Sequence, residues 1–235
     1  ATMAPWWPPV AAAHQQHGQR MVRHLAGRAE QDQFLDLGAD LPGEVPVHRI
    51  ASAVRPAART VYVARHPYVY SAWRDALDAS PDTGAAVVPG DLADIEALLE
   101  TPEVQALDWA RPISVLVHHV AHFVDDETLA HTVAVLREGL PQGSMISLTH
   151  AAATPLGREM AQLYLRTGIR LWPRHLSRIT PLHGVWPAHT LGPDRTRPWY
   201  AVLTRSPGRG PFLRPAYWPA SADSSALLRA GGHAS

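Results

Sequence analysis

Cysteine, lysine and asparagine are all missing from this 235-residue chain. Without cysteine there is no disulfide framework and no thiolate nucleophile, which agrees with a reducing, cytoplasmic location. The 21 basic residues are therefore all arginine, and 21 acidic residues balance them. No net field draws the chain to nucleic acid or to an anionic surface. Long apolar runs are missing too. Trp6 and Trp7 are hemmed by Pro5, Pro8 and Pro9, and no stretch suits a signal peptide or a bilayer span. The expected partner is a small-molecule substrate, with no nucleic acid and no membrane; a homo-oligomer stays open.

What is present is enough apolar material, 46% of residues, for one sizeable α/β core. Residues 10–29 carry Val10, His14, His17, Met21, His24 and Leu25 at helical intervals. Short apolar runs then alternate with helical stretches. Strands are expected at 33–37, 60–64, 85–88, 113–118 and 144–149, with weaker ones near 182–186 and 199–203. Helices are expected at 47–52, 69–77, 92–107, 127–140 and 156–167. This alternation argues for a mostly parallel sheet covered on both faces. Three parts follow: a Pro/Trp segment and helix at 1–32, an α/β domain at 33–205, and a Pro/Ala/Ser-rich extension at 206–235. In the extension, Phe212, Tyr217 and Trp218 offer anchors to a hydrophobic groove.

In an open sheet of this kind the ligand crevice lies beyond the strand C-termini. Histidine gathers there: His66 after the second strand, His118, His119 and His122 after the fourth, His150 after the fifth. Imidazole is the commonest general acid or base. Neighbouring residues at a strand end point opposite ways, so one of His118 and His119 faces the crevice and the other packs under a helix. The spacing of His118, His119 and His122 matches no standard metal-ligand pattern, and no metal is expected. A nucleophile elbow and a phosphate loop are both lacking. Trp6, Trp7 and Trp109 are candidates to line an apolar pocket.

The segments QFLDLGADLP (33–42), PVHRIA (46–51), VYVARHP (61–67), GDLADI (90–95), PEVQALDWARP (102–112), AHFVDDE (121–127) and LTHAA (148–152) carry a resemblance in order and spacing over roughly residues 14–205. They resemble the actinobacterial S-adenosylmethionine-dependent methyltransferase family once grouped as a domain of unknown function. That resemblance implies a Rossmann-like, seven-stranded class I methyltransferase fold with the last strand antiparallel. It also implies that Asp36, Gly38 and Asp91 touch S-adenosylmethionine if it binds, and that His122 and His150 are scaffold shared with the family. Asp40 stands where the family has a second glycine, and Ala64, Arg65 and His66 stand where it has an acid for the ribose.

From these departures the expectation is an enzyme of specialised metabolism that uses no cofactor. It would run an acid/base cyclisation, elimination or isomerisation with Asp40, His66, His118, His119 and His122. The alternatives are an S-adenosylmethionine-dependent small-molecule methyltransferase and a non-catalytic partner subunit.

Overall fold

The computed structural model describes residues 4–27, 29, 31–80, 83–194, 197–208 and 212–218. The chain runs α1 (Trp7–Gly27), β1 (Gln33–Asp36), α2 (Val47–Val54), β2 (Arg59–Ala64), α3 (Pro67–Asp78), β3 (Ala85–Pro89), α4 (Ile95–Leu99), α5 (Pro102–Gln105) and β4 (Ser114–Val117). It continues with α6 (Asp126–Gly139), β5 (Met145–Ala151), α7 (Pro155–Leu165), α8 (Leu176–Ile179), β6 (Ala188–Leu191) and β7 (Trp199–Arg205). The strands form one sheet in the order β3-β2-β1-β4-β5-β7-β6. β1 to β5 are parallel, whereas β7 runs antiparallel to both β5 and β6. This is the expected class I methyltransferase-like fold.

Period-2 alternation along the strands splits the core into two layers. Leu35, Val61, Val115 and Ile146 face one way, against Ile95, Leu129 and Leu136. Phe34, Leu116, Met145 and Leu203 face the other, against Met21 and Leu25 of α1 and Ile50 of α2. Trp218 is buried in this second layer, where its ring stacks on His17, 6.1 Å between centroids. It falls in the expected C-terminal extension, whose residues 209–211 and 219–235 lie outside the described residues, as do residues 1–3 of the N-terminal segment.

Two expectations need correcting. The helix expected over 92–107 is broken into a 3-10 turn (Leu92–Asp94), α4 and α5. Pro102 opens a new helix because it has no N–H to continue the old one. The strand expected near 182–186 is a 3-10 turn (Thr180–His183) closed by Gly184 at φ 56°. The edge strand, β6, comes after Pro187.

The sheet order reverses between β1 and β4, so the chain leaving β1 and the chain leaving β4 diverge to opposite faces and leave a crevice between them.

Candidate active site

A cavity of about 890 Å³ occupies that crevice. Its floor is the turn Leu37–Leu41, with Tyr62, Arg65 and His66 at the β2 end and His118 to Phe123 at the β4 end; α1 and α7 wall it in.

The turn after β1 is tied to both neighbouring strands. Leu37 N–H donates to the Leu116 carbonyl at 2.9 Å, and Ala39 N–H donates to the Val63 carbonyl at 3.2 Å. Gly38 is required by close approach: a Cβ there would run into the His118 carbonyl oxygen and the Val120 side chain. Its N–H points at the Asp36 carboxyl, 3.4 Å away. Burial pushes Asp36 up to about 7, against that hydrogen bond and with help from the charge of Asp40.

Asp40 is exposed at the turn's end. Its carboxylate accepts from Leu41 N–H at 2.8 Å, and its carbonyl accepts from Trp73 Nε1–H at 2.7 Å. Trp73 in turn stacks on Tyr62 at 3.9 Å. His48 N–H donates to the Tyr62 hydroxyl at 3.0 Å, and that hydroxyl lies 2.9 Å from His48 Nδ1. With one proton to give, it donates to Nδ1. A run of side chains from α2, β2 and α3 thus holds the end of the turn.

At the β2 end, the His66 ring caps α3, its Nδ1 accepting from Tyr68 N–H at 3.2 Å. Arg65 pairs with Asp91 at 2.7 Å, the two side chains 67% and 29% exposed. Asp91 also accepts from Ala93 N–H at 3.2 Å. Of the eight residues expected to act, seven line the cavity. Asp91 does not, and meets it only through Arg65.

The β4 end is built of imidazoles. His118 is buried beneath α1, with Nε2 2.8 Å from Ser147 Oγ. His119 has φ 61°, a left-handed conformation that costs about 1–3 kcal/mol and gathers at functional sites. Its N–H donates to Thr149 Oγ1 at 3.2 Å, and Thr149 Oγ1 lies 2.8 Å from His14 Nε2. The His119 ring opens to the cavity beside His14, 3.3 Å between ring centroids. The His119 ring is exposed to the cavity, and the groups packed around it lower it to about 4, with Asp40 pulling the other way. Burial first, and neighbouring imidazoles after it, also holds His14, His118 and His122 well below the ordinary histidine range. All four rings are therefore neutral near pH 7.

His150 serves the scaffold. Its Nδ1–H donates to the Ala151 carbonyl at 2.8 Å, leaving Nε2 to accept from Arg174. Buried Arg174 also binds Asp126 and donates to the Ala121 carbonyl at 3.1 Å and the Val124 carbonyl at 2.7 Å. It pins the loop that carries His122. Trp109 packs against the core away from the cavity, whereas Trp7, Tyr164 and Trp199 line it. His14, Tyr164 and Trp199 escaped the sequence reading. For His14 the signal was there, as a polar ring on the buried stripe of α1.

The model of a family described as S-adenosyl methyltransferase matches residues 1–185. A candidate methyltransferase from Thermobifida fusca YX superposes with a TM-score of 0.79 at 26% identity, covering 87% of this chain and 84% of that one. A DUF574 family protein from Streptomyces avermitilis MA-4680 gives 0.78 at 27%, covering 87% and 88%. Magnesium protoporphyrin IX methyltransferase from Synechocystis PCC 6803, solved with bound SAH, gives 0.57 at 14%, covering 85% and 86%; at that identity the likeness is one of fold. No curated protein matches the chain in sequence. The family match overturns the expectation of a chain without a cofactor, and with it the ground for an acid/base cyclase. Asp40 is exposed at the cavity, where its carboxylate accepts from the N–H of its own neighbour Leu41.

Proposed function

The chain belongs to the S-adenosyl methyltransferase family, and from that premise we propose that it methylates a small, largely apolar molecule of specialised metabolism, with S-adenosylmethionine as donor. The observation that carries this reading is the cavity at the β1/β4 reversal, with backbone and carboxyl groups along one floor and aromatic rings at one end.

The residues present fit the cofactor at its amino-acid end. Gly38 and Ala39 bring bare backbone to the cavity, and Asp36 and Asp40 offer carboxyl oxygens for an ammonium group. At the nucleoside end, Ala64 offers no carboxylate to ribose hydroxyls, and Arg65 with Asp91 supplies the polar surface. When bound, S-adenosylmethionine supplies an electrophilic methyl group on a sulfonium sulfur, which keeps the carbon–sulfur electron pair as the methyl departs.

The protein's own part is to orient, dry and deprotonate. Trp7, Phe123 and Tyr164 exclude water from the acceptor. A ring nitrogen of His119, neutral and open to the cavity, accepts the acceptor's hydrogen bond and then its proton. Asp40, whose charge favours the protonated ring, eases that step. His118 and His122 hold the loop from beneath, and His66 caps α3.

Calorimetric titration with S-adenosylhomocysteine tests the reading. Saturable one-to-one binding with a dissociation constant below about 1 mM is expected. Neither heat nor a thermal shift at that concentration would count against it.

A further inference from the structure

We propose that the methyl acceptor is a planar aromatic compound bearing an ionisable hydroxyl, its ring lodged among Trp7, Phe123 and Tyr164 and its hydroxyl turned to His119. The inference rests on the reading of the cavity as a methyl-transfer site and adds the class of molecule that it takes.

Three rings from three separate elements meet at this end of the cavity. Trp7, at the start of α1, meets Tyr164 of α7 at 5.7 Å and 70°. Phe123, in the loop after β4, meets the same tyrosine at 5.3 Å and 66°. All three are half-buried and line the cavity, so each keeps ring surface unspent on its neighbours. Tilted rings of this kind present both faces and edges, which a flat guest matches by stacking on one and meeting another edge-on. A saturated ring of the same outline is thicker and has no quadrupole to match.

The polar groups select the hydroxyl. Among the described residues, neither ring nitrogen of His119 holds a hydrogen bond, and the left-handed backbone at this residue turns the ring into the cavity. Asp40 and Tyr164 line the same cavity as His119, so the three chemistry-bearing groups face one space. A neutral imidazole takes a proton best from a group that gives it up readily. An aromatic hydroxyl does so because the ring delocalises the charge, whereas an aliphatic alcohol does not.

The test is a titration of 2-naphthol into the protein saturated with S-adenosylhomocysteine, beside decahydro-2-naphthol as the saturated control. Naphthol should bind saturably and the control at least about tenfold more weakly. Tyr164→Leu and Trp7→Leu, which keep apolar bulk and remove the ring, should each weaken naphthol about tenfold and leave S-adenosylhomocysteine affinity within about twofold. Equal binding of naphthol and its saturated analogue would overturn the proposal, as would unchanged naphthol affinity in both variants at wild-type melting temperature. If S-adenosylhomocysteine binds and naphthol does not, this inference fails alone. If naphthol binds the protein in the ring-dependent way while S-adenosylhomocysteine does not bind, the aromatic site stands and the methyl-transfer reading falls.

Discussion

The two ends of the cavity are held by different forces. At the β1/β4 end the geometry is set by core packing: Gly38 lies against the His118 carbonyl, Asp36 is half-buried, and the turn is bonded to β2 and β4. At the β2/β3 end it is set by an ion pair, Arg65 with Asp91, with the guanidinium two-thirds exposed. Such a pair contributes about 0–1 kcal/mol. A site of this build can change residues at its open end without disturbing the fold, while its packed end stays as the core requires.

Gly38→Ala should give the largest effect. A methyl group meeting backbone has nowhere to go, so a stability loss of about 1–3 kcal/mol and displacement of the turn should remove S-adenosylhomocysteine binding. Chemical denaturation beside calorimetry reads both. A variant with wild-type binding would show that packing does not fix this end.

Acidification should also act on the packed end. Buried His17, at about 3, and His150, at about 4, titrate near 6.5 once unfolded. The unfolded chain therefore binds more protons below 6.5, and stability falls as pH drops from about 6.5 toward 4. Asp36 works the other way. Its carboxyl ionises near 7 folded and near 3.8 unfolded, so its contribution falls as pH rises across that window. The histidines outnumber it, so the melting temperature should decline from pH 7 to 4.5. In Asp36→Asn the decline should be steeper, and a flat profile in both proteins would break the account.

At the open end, Ala64→Asp with Arg65→Ala places a carboxylate where ribose hydroxyls would lie and frees it from the guanidinium. Charge-assisted hydrogen bonds contribute about 1.5–3 kcal/mol, so affinity for S-adenosylhomocysteine should rise about tenfold or more, while the new carboxylate at buried Ala64 should lower the melting temperature of the ligand-free protein. No gain would mean that the cofactor's nucleoside does not lie beside residue 64.

The alternation of apolar runs and helical stretches disclosed the sheet because each strand's two-faced burial is written locally. QFLD followed by LG marked the turn as well. The same reading put a strand at 182–186, because Leu182 and Trp186 are apolar and local pattern does not register that Gly184 turns the chain between them. His14 was hidden differently: on a helix, an imidazole at a buried position reads as one more point on the stripe. Only the fold brings it to Thr149 and His119, 135 and 105 residues away in sequence. Trp218 was legible as an anchor, an aromatic ring in a Pro- and Ala-rich stretch, and it is buried; that its groove is the layer holding His17 depended on tertiary packing. Seven of the eight residues singled out line the cavity, since strand ends can be located from sequence; Asp91 does not. The division of the histidines into a scaffold (His118, His150), a cap (His66) and an open ring (His119) required distances.

The measurement that tests the account most directly is a crystal structure of the protein grown with S-adenosylhomocysteine. The account predicts density along the turn from Asp36 to Asp40, the amino-acid end against Gly38 and Ala39, the thioether sulfur toward His119, and the adenosine reaching Arg65. Density for the ligand elsewhere, or a cavity left empty at saturating ligand, would contradict it.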